Sequence, residues 1–354
     1  MRWRLGLALG AVGMVLCSGA AARAQTRVIL MVADGAGMGH WTIAAHTIGD
    51  LAVHDFPTTG LIDTRGADHV VTESAAAATA YSIGVQTFMG AIGVGPDSQP
   101  RPTVLEVAKQ RGLSTGLVTT TLLTDATPAA FAAHAVGRSN PVEIAAQIAL
   151  AGVDVLLGGG RMVFERVLTR DSVPLLDALR RRYTYVDSGD SLKALRLNRV
   201  RALLGLFAER DMALGFARSP SLADMTRAAL EVLDQNPQGF FLLVENEETD
   251  TQAHRNQPYE VIAAEMVAFD DAVRAALAYQ NRHPQTLLVV LSDHETGGLA
   301  LQPDSTGAVV AAYTTTGHTA ALVPVFARGP RAERFGGIIP NARVGELLLA
   351  AVRR

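Results

Sequence analysis

Ser74 stands between Glu73 and a run of four alanines, within the stretch VVTESAAAAT at residues 70–79. Alanine is the strongest helix former, so a helix begins near residues 72–74 and places Ser74 at its mouth. Free backbone N–H groups and the positive end of the helix dipole favour an anion such as phosphate there. Taken alone, Thr72-Glu73-Ser74 reads first as a simple N-cap signature. The acids and histidines elsewhere in the chain decide between the two readings. Asp34, Glu245 and Asp293 each follow a short apolar run, His294 adjoins Asp293, and Asp250 and His254 are four residues apart. A spacing of four on a helical turn points two side chains the same way, as a shared metal requires. Carboxylate with imidazole suits zinc, and an oxygen set such as Asp34, Thr127 and Glu245 suits magnesium. Each residue singly has a capping or surface role open to it; together they describe a multi-metal site for an anion.

The elements that must position these groups follow from the pattern. Apolar runs at residues 27–33, 116–120, 240–244 and 286–291 read as buried strands, and those at 153–157 and 321–326 join them. The run at 153–157 is expected to stop at Gly158, Gly159 and Gly160. Helices are expected at 103–110, 222–235, 259–279 and 342–352. Another is expected from Thr127 as N-cap to Gly137, with Pro128 in its first turn. Glycines at 84, 90 and 93 mark loops near the site, and Asp250 and His254 are placed in the loop after the 240–244 strand. Residues 161–220 are looser. Helical pieces at 174–182 and 191–195 alternate with strands at 183–186 and 202–207, and the Arg180-Arg181-Arg182 run reads as a solvated surface region. Alternating strands and helices predict a three-layer α/β/α sandwich with a mostly parallel central sheet, whose ligands gather at the carboxyl edge of the strands.

At 354 residues and 49% hydrophobic content, the chain has material for one large domain, residues 25–354, after a leader. A formal charge of −3 gives no basic footprint for nucleic acid. Arg2 and Arg4, an apolar run at 5–16 and Ala22-Arg23-Ala24 read as a secretory signal over residues 1–24. That run falls short of the roughly 20 residues needed to span a bilayer, so a periplasmic or extracellular protein with no membrane anchor after cleavage is expected. The single cysteine, Cys17, lies in the leader. Core burial and bound metal must then serve where other exported proteins use disulfides.

At residues 70–94, 112–138, 202–254, 292–294 and 317–318 the sequence resembles the alkaline phosphatase family. The resemblance implies that Ser74 is transiently phosphorylated. It implies one zinc held by Asp250, His254 and His318, and a second by Asp34, Asp293, His294 and Ser74. It further implies magnesium on Asp34, Thr127 and Glu245, with Asp125 in its outer shell, and Arg138 as a clamp on the phosphoryl oxygens. Glu73 stands where many members have Asp, and Thr251 where many have Lys, His or Trp; Glu247 and Glu248 add negative charge beside the metal loop. The implied activity is hydrolysis of small-molecule phosphate monoesters by a monomer or homodimer. The alternatives are a phosphodiesterase or phosphonate hydrolase on the same scaffold, or a catalytically silent metal- or phosphate-binding protein. A sulfatase is disfavoured, because its formylglycine is usually made from cysteine.

Overall fold

The structure, a computed structural model, describes residues 25–353; the leader expected at 1–24 lies outside them. Eight strands come first in chain order: β1 Thr26–Ala33, β2 Thr58–Asp63, β3 Ser114–Leu122, β4 Val155–Gly159, β5 Thr184–Val186, β6 Leu203–Leu206, β7 Gly239–Asn246 and β8 Thr286–Leu291. With Val323–Arg328 and Gly337–Pro340 they form one ten-stranded sheet. From one edge the order is Gly337–Pro340, β2, Val323–Arg328, β8, β1, β7, β3, β4, β6, β5. The pairings are parallel except those of Val323–Arg328, which runs antiparallel to both neighbours. The expected mostly parallel sheet is therefore present.

Alternate residues of a strand point to opposite faces, and β1 uses both. Val28, Leu30 and Val32 enter one core with Tyr81, Phe131 and Phe241, whereas Ile29, Met31 and Ala33 enter the other with Trp41, Phe240 and Phe269. The first core is covered by α2 (Ser74–Ile83), α3 (Val104–Gln110), α4 (Ala126–Ala132) and α5 (Pro141–Ala151), the second by α1 (Met38–Ile48) and the helices Leu222–Leu233 and Tyr259–Arg282. This is the three-layer sandwich.

Register places the chemistry. Val32 pairs with Glu245 of β7 and with Leu291 of β8, so Asp34, Glu245 and the Ser292-Asp293-His294 segment emerge side by side at one edge. Val118 of β3 pairs with Val244, which puts Thr119 beside Glu245.

Several local expectations are corrected. The N-cap of α4 is Asp125, not Thr127: its Oδ1 accepts the Ala126 N–H at 2.7 Å, and Thr127 lies inside the helix. Pro in a first turn tolerates either assignment, and the stronger cap acceptor takes the position. That helix stops at Ala132 and does not reach Gly137, because Ala133 turns extended and Ala135 pairs with Ile92. Gly158 and Gly159 continue β4, and a Cβ at Gly159 would collide with the Arg210 carbonyl, so glycine admits a close neighbouring chain. Asp250 and His254 lie on a helix, Glu248–His254, not in a loop. Residues 161–220 are not simply a solvated region: β5 and β6 complete one sheet edge, and Leu203, Leu204 and Leu206 are fully buried.

Candidate active site

Ser74 is the first residue of α2, and Glu73 is its N-cap. The Glu73 carboxylate accepts from the Ala75 N–H at 2.9 Å, and from the Ala76 and Gly90 N–H groups at 2.8 and 2.9 Å. This corrects the expectation of free helix N–H groups for phosphate: an acidic cap has taken those of Ala75 and Ala76. Burial works against ionisation of Glu73, but the three backbone donors and Arg138 outweigh it and hold its carboxyl below the usual range. The same side chain binds Arg138, Nη1 to Oε2 at 2.9 Å, while Arg138 Nη2 meets Asp125 Oδ1 at 2.7 Å. One donor on each terminal nitrogen is thereby fixed; among the described residues the second on each has no partner, and a guanidinium about one-third exposed can meet an anion.

The Ser74 hydroxyl lies 3.2 Å from His294 Nε2 and 3.5 Å from Asp34 Oδ1. His294 Nε2 is also 3.2 Å from Asp34 and 3.4 Å from Asp293 Oδ2. The other Asp293 oxygen accepts from Gly35 and His294 N–H groups at 3.0 Å, which leaves Oδ2 buried without a hydrogen bond. Gly35 has φ +67°, and a Cβ there would lie 2.5 Å from Asp250 Oδ1; glycine lets the turn after β1 pass under the cluster.

Two further histidines face the same centre. His254 Nδ1 lies 2.6 Å from the Thr316 carbonyl and His318 Nδ1 lies 2.8 Å from that of Thr72. A carbonyl only accepts, so each Nδ1 carries a proton, and each ring in its neutral form presents an Nε2 lone pair. Those Nε2 atoms are 3.0 Å apart, with Asp250 3.2 Å from His254 and 3.6 Å from His318. Lone pairs converging on one another and on a carboxylate are the donor set of a cation cage. Candidate ligand atoms of Asp250, His294 and His318, and of Asp34, Asp293 and His294, lie within 4.8 Å of one another in each set.

The expected magnesium trio is also gathered. Glu245 is buried and accepts from the Thr119 hydroxyl at 2.6 Å. The Thr127 hydroxyl is buried close enough to Glu245 to ease its ionisation, yet completes no well-formed hydrogen bond. Asp125 faces Thr121 at 3.2 Å through the oxygen that Arg138 does not use.

The electrostatics of the cluster suit cations. Burial first, then Asp293, Asp250 and Glu245, raise Asp34 well above the carboxylate range. Burial pushes Glu245 up to about 8, with Asp125 and Asp293 adding to it. Asp250 goes the other way: burial opposes ionisation, but His254, His294 and Thr296 outweigh it. Its hydrogen bond carries His254 up to about 9, whereas burial and His294 take His318 down to about 4. Carboxylates forced this close resist ionising together unless positive charge sits among them. The orphaned Asp293 and Thr127 oxygens and the paired imidazoles fit resident metal ions.

An alkaline phosphatase family model matches residues 25–312. The chain belongs to the alkaline phosphatase family. It is 33% identical to streptomycin-6-phosphate phosphatase of Streptomyces griseus, over 99% of this chain and 97% of that protein. It is 37% identical to alkaline phosphatase 4 of Bacillus subtilis over 77% of this chain, spanning 62% of that longer relative. The alkaline phosphatase of the Antarctic bacterium TAB5 superposes with a TM-score of 0.86 at 31% identity, over 94% of this chain and 99% of that one, and a solved variant of it holds magnesium in its M3 site. Membership makes this chain a metal-dependent phosphomonoesterase.

Sequence reasoning missed the groups that orient the ligands. Thr119 holds Glu245, and Thr296 donates to Asp250 and lies 3.3 Å from His294 Nδ1. A signal existed for the first: three consecutive threonines, 119–121, stand just before the end of β3 at the site edge, each buried. Glu247 accepts from Thr251 at 2.5 Å, and Glu248 from Gln252 at 2.7 Å.

Proposed function

We propose that the chain hydrolyses phosphate monoesters through a phosphoserine on Ser74, assisted by two zinc ions and one magnesium. One zinc would be held by Asp250, His254 and His318 and the other by Asp34, Asp293, His294 and Ser74; magnesium would be held by Asp34, Thr127 and Glu245, with Asp125 outside them. When bound, these ions supply positive charge for the entering and leaving oxygens and lower the pKa of the serine hydroxyl. The observation that carries the reading is the Ser74 hydroxyl 3.2 Å from His294 Nε2 and 3.5 Å from Asp34 Oδ1.

The chain's own residues then act in order. Arg138 turns its free donors to two phosphoryl oxygens of the ester. Ser74 Oγ attacks phosphorus as the ester oxygen leaves with its electron pair and takes a proton, releasing the alcohol. Water next attacks the phosphoserine; the phosphorus bond to Ser74 Oγ breaks, inorganic phosphate leaves, and the serine recovers its proton. The fully buried His294 faces the nucleophile at 3.2 Å with Asp293 behind it at 3.4 Å from the same ring nitrogen, and Asp34 faces the nucleophile at 3.5 Å.

The substrates proposed are small-molecule monoesters. Streptomycin 6-phosphate is one to test, given the name of the Streptomyces relative. Export by residues 1–24 and a monomer or homodimer without a membrane anchor complete the reading. Among the described residues no helix is long and apolar enough to cross a membrane. Hydrolysis of a chromogenic phosphate monoester, with and without a chelator, tests it: chelator-sensitive phosphate release is expected, and phosphate binding without turnover would instead mark a silent binder.

A further inference from the structure

Arg138 is not on a helix. It lies in the short segment between α4, ending at Ala132, and α5, beginning at Pro141. Ala135 pairs with Ile92 in both directions at 2.9 and 2.8 Å, and the His134 backbone is gripped by Gln147, N–H to Oε1 at 2.8 Å and carbonyl to Nε2 at 2.9 Å. The His134 ring meets two acceptors at once: Nδ1 is 2.7 Å from the Gly93 carbonyl and Nε2 is 2.9 Å from Glu106 Oε1. A carbonyl and an ionised carboxylate only accept, so the ring completes both contacts as hydrogen bonds only in its imidazolium form.

We infer that His134, as that imidazolium, is a positioning residue for Arg138, fixing the segment that carries the guanidinium to the phosphoryl group. The inference rests on the monoesterase reading above. Glu106 is itself immobilised. Its Oε2 accepts the Thr103 N–H at 3.0 Å, and Thr103 accepts the Glu106 N–H at 3.1 Å while donating to the Phe131 carbonyl at 2.7 Å. One ring thus ties α3, the end of α4, the loop through Gly93 and the Arg138 segment together. The same loop steadies the other partner of Arg138, since the Gly90 N–H binds Glu73.

From α3 the charged group facing the ring is Glu106, the loop offers only a carbonyl, and from α5 Gln147 intervenes before Glu143, which lies 3.4 Å from the Gln147 amide. Its hydrogen bond to Glu106 raises the His134 pKa, burial partly opposes it, and the Gly93 carbonyl adds to the rise. For a group raised on folding, the contribution is complete below the unfolded value of about 6.5 and is lost as pH climbs through the folded value. Deprotonation then leaves one ring nitrogen facing an acceptor with no hydrogen between them.

The test is a double-mutant cycle on the full metal-loaded enzyme, with inorganic phosphate as the probe. His134→Ala should weaken phosphate inhibition about 10-fold when Arg138 is present, and less than about 2-fold in the Arg138→Ala background. His134→Gln carries the cycle if His134→Ala does not fold. The ratio of His134→Gln to wild-type inhibition constants cancels phosphate's own ionisation and should fall toward unity as pH rises through the His134 ionisation. Equal losses in both backgrounds, or a lower Tm with inhibition unchanged, would overturn the inference. A wild-type enzyme that releases no phosphate from monoesters would instead fail the underlying functional reading.

Discussion

Glu73 and Arg138 are joined Oε2 to Nη1 at 2.9 Å, and the same carboxylate caps the helix that begins with Ser74. One side chain therefore sets the nucleophile's helix and the phosphate clamp against each other. The longer residue, where many relatives of this family have Asp, still reaches both. Glu73→Ala should cost about 1 kcal/mol from the lost cap, and more from the freed donors. It should also lower kcat/KM. Because the folded pKa of Glu73 is depressed, its stabilisation is present above the unfolded carboxyl value and disappears as pH falls through the folded one. Tm measured against pH should show wild type losing more than Glu73→Gln on acidification; parallel curves would contradict this.

Thr119→Val should loosen Glu245 without emptying the core, because valine matches threonine in shape and removes only the hydroxyl. Groups that orient metal ligands typically change metal affinity by about 10–100-fold. Calorimetric titration of magnesium into zinc-loaded protein should show a loss of that order, and an unchanged affinity would remove Thr119 from the site.

Chelation should abolish activity and lower thermal stability together, since the proposed ligands run from Asp34 to His318 and join segments far apart in the chain. Metal bound by the native state alone stabilises it by mass action. Zinc should restore most of the Tm and magnesium add to it, as read by scanning calorimetry. Full activity in metal-free protein would refute the metal requirement.

Arg138→Ala should weaken catalysis on monoesters more than on diesters. A charge-assisted hydrogen bond contributes about 1.5–3 kcal/mol, or roughly 10- to 150-fold in rate. A diester offers one fewer charged oxygen to grip. The ratio of kcat/KM values should therefore move toward the diester. Equal losses on the two substrates would mean that the guanidinium does not read the extra charge.

Local pattern carried the sequence reading furthest where burial is continuous. The apolar runs that end at Asp34, Glu245 and Asp293 are strands lying side by side, and that adjacency gathers the acids. What stayed hidden depends on contacts between distant segments. Nothing in Leu203–Leu206 announces that its neighbours are β4 and β5, so a buried strand read as part of a surface region. Helix α1 escaped because glycine precedes it and its buried face mixes His40 with Trp41, Ile43 and Ala44. Thr316 and Thr72 act through backbone carbonyls, to which any residue could contribute, so no side-chain pattern marks them as partners of His254 and His318.

The central claim is that Ser74 carries the phosphoryl group, and trapping tests it most directly. Enzyme quenched in acid during turnover of a monoester should yield one phosphopeptide, and mass spectrometry should place the phosphate on Ser74. Ser74→Ala should keep the fold and most of its zinc, since the hydroxyl is one of several donors around His294, and should form no phosphoenzyme. Phosphate mapped to another residue, or trapped undiminished in Ser74→Ala, would contradict the account.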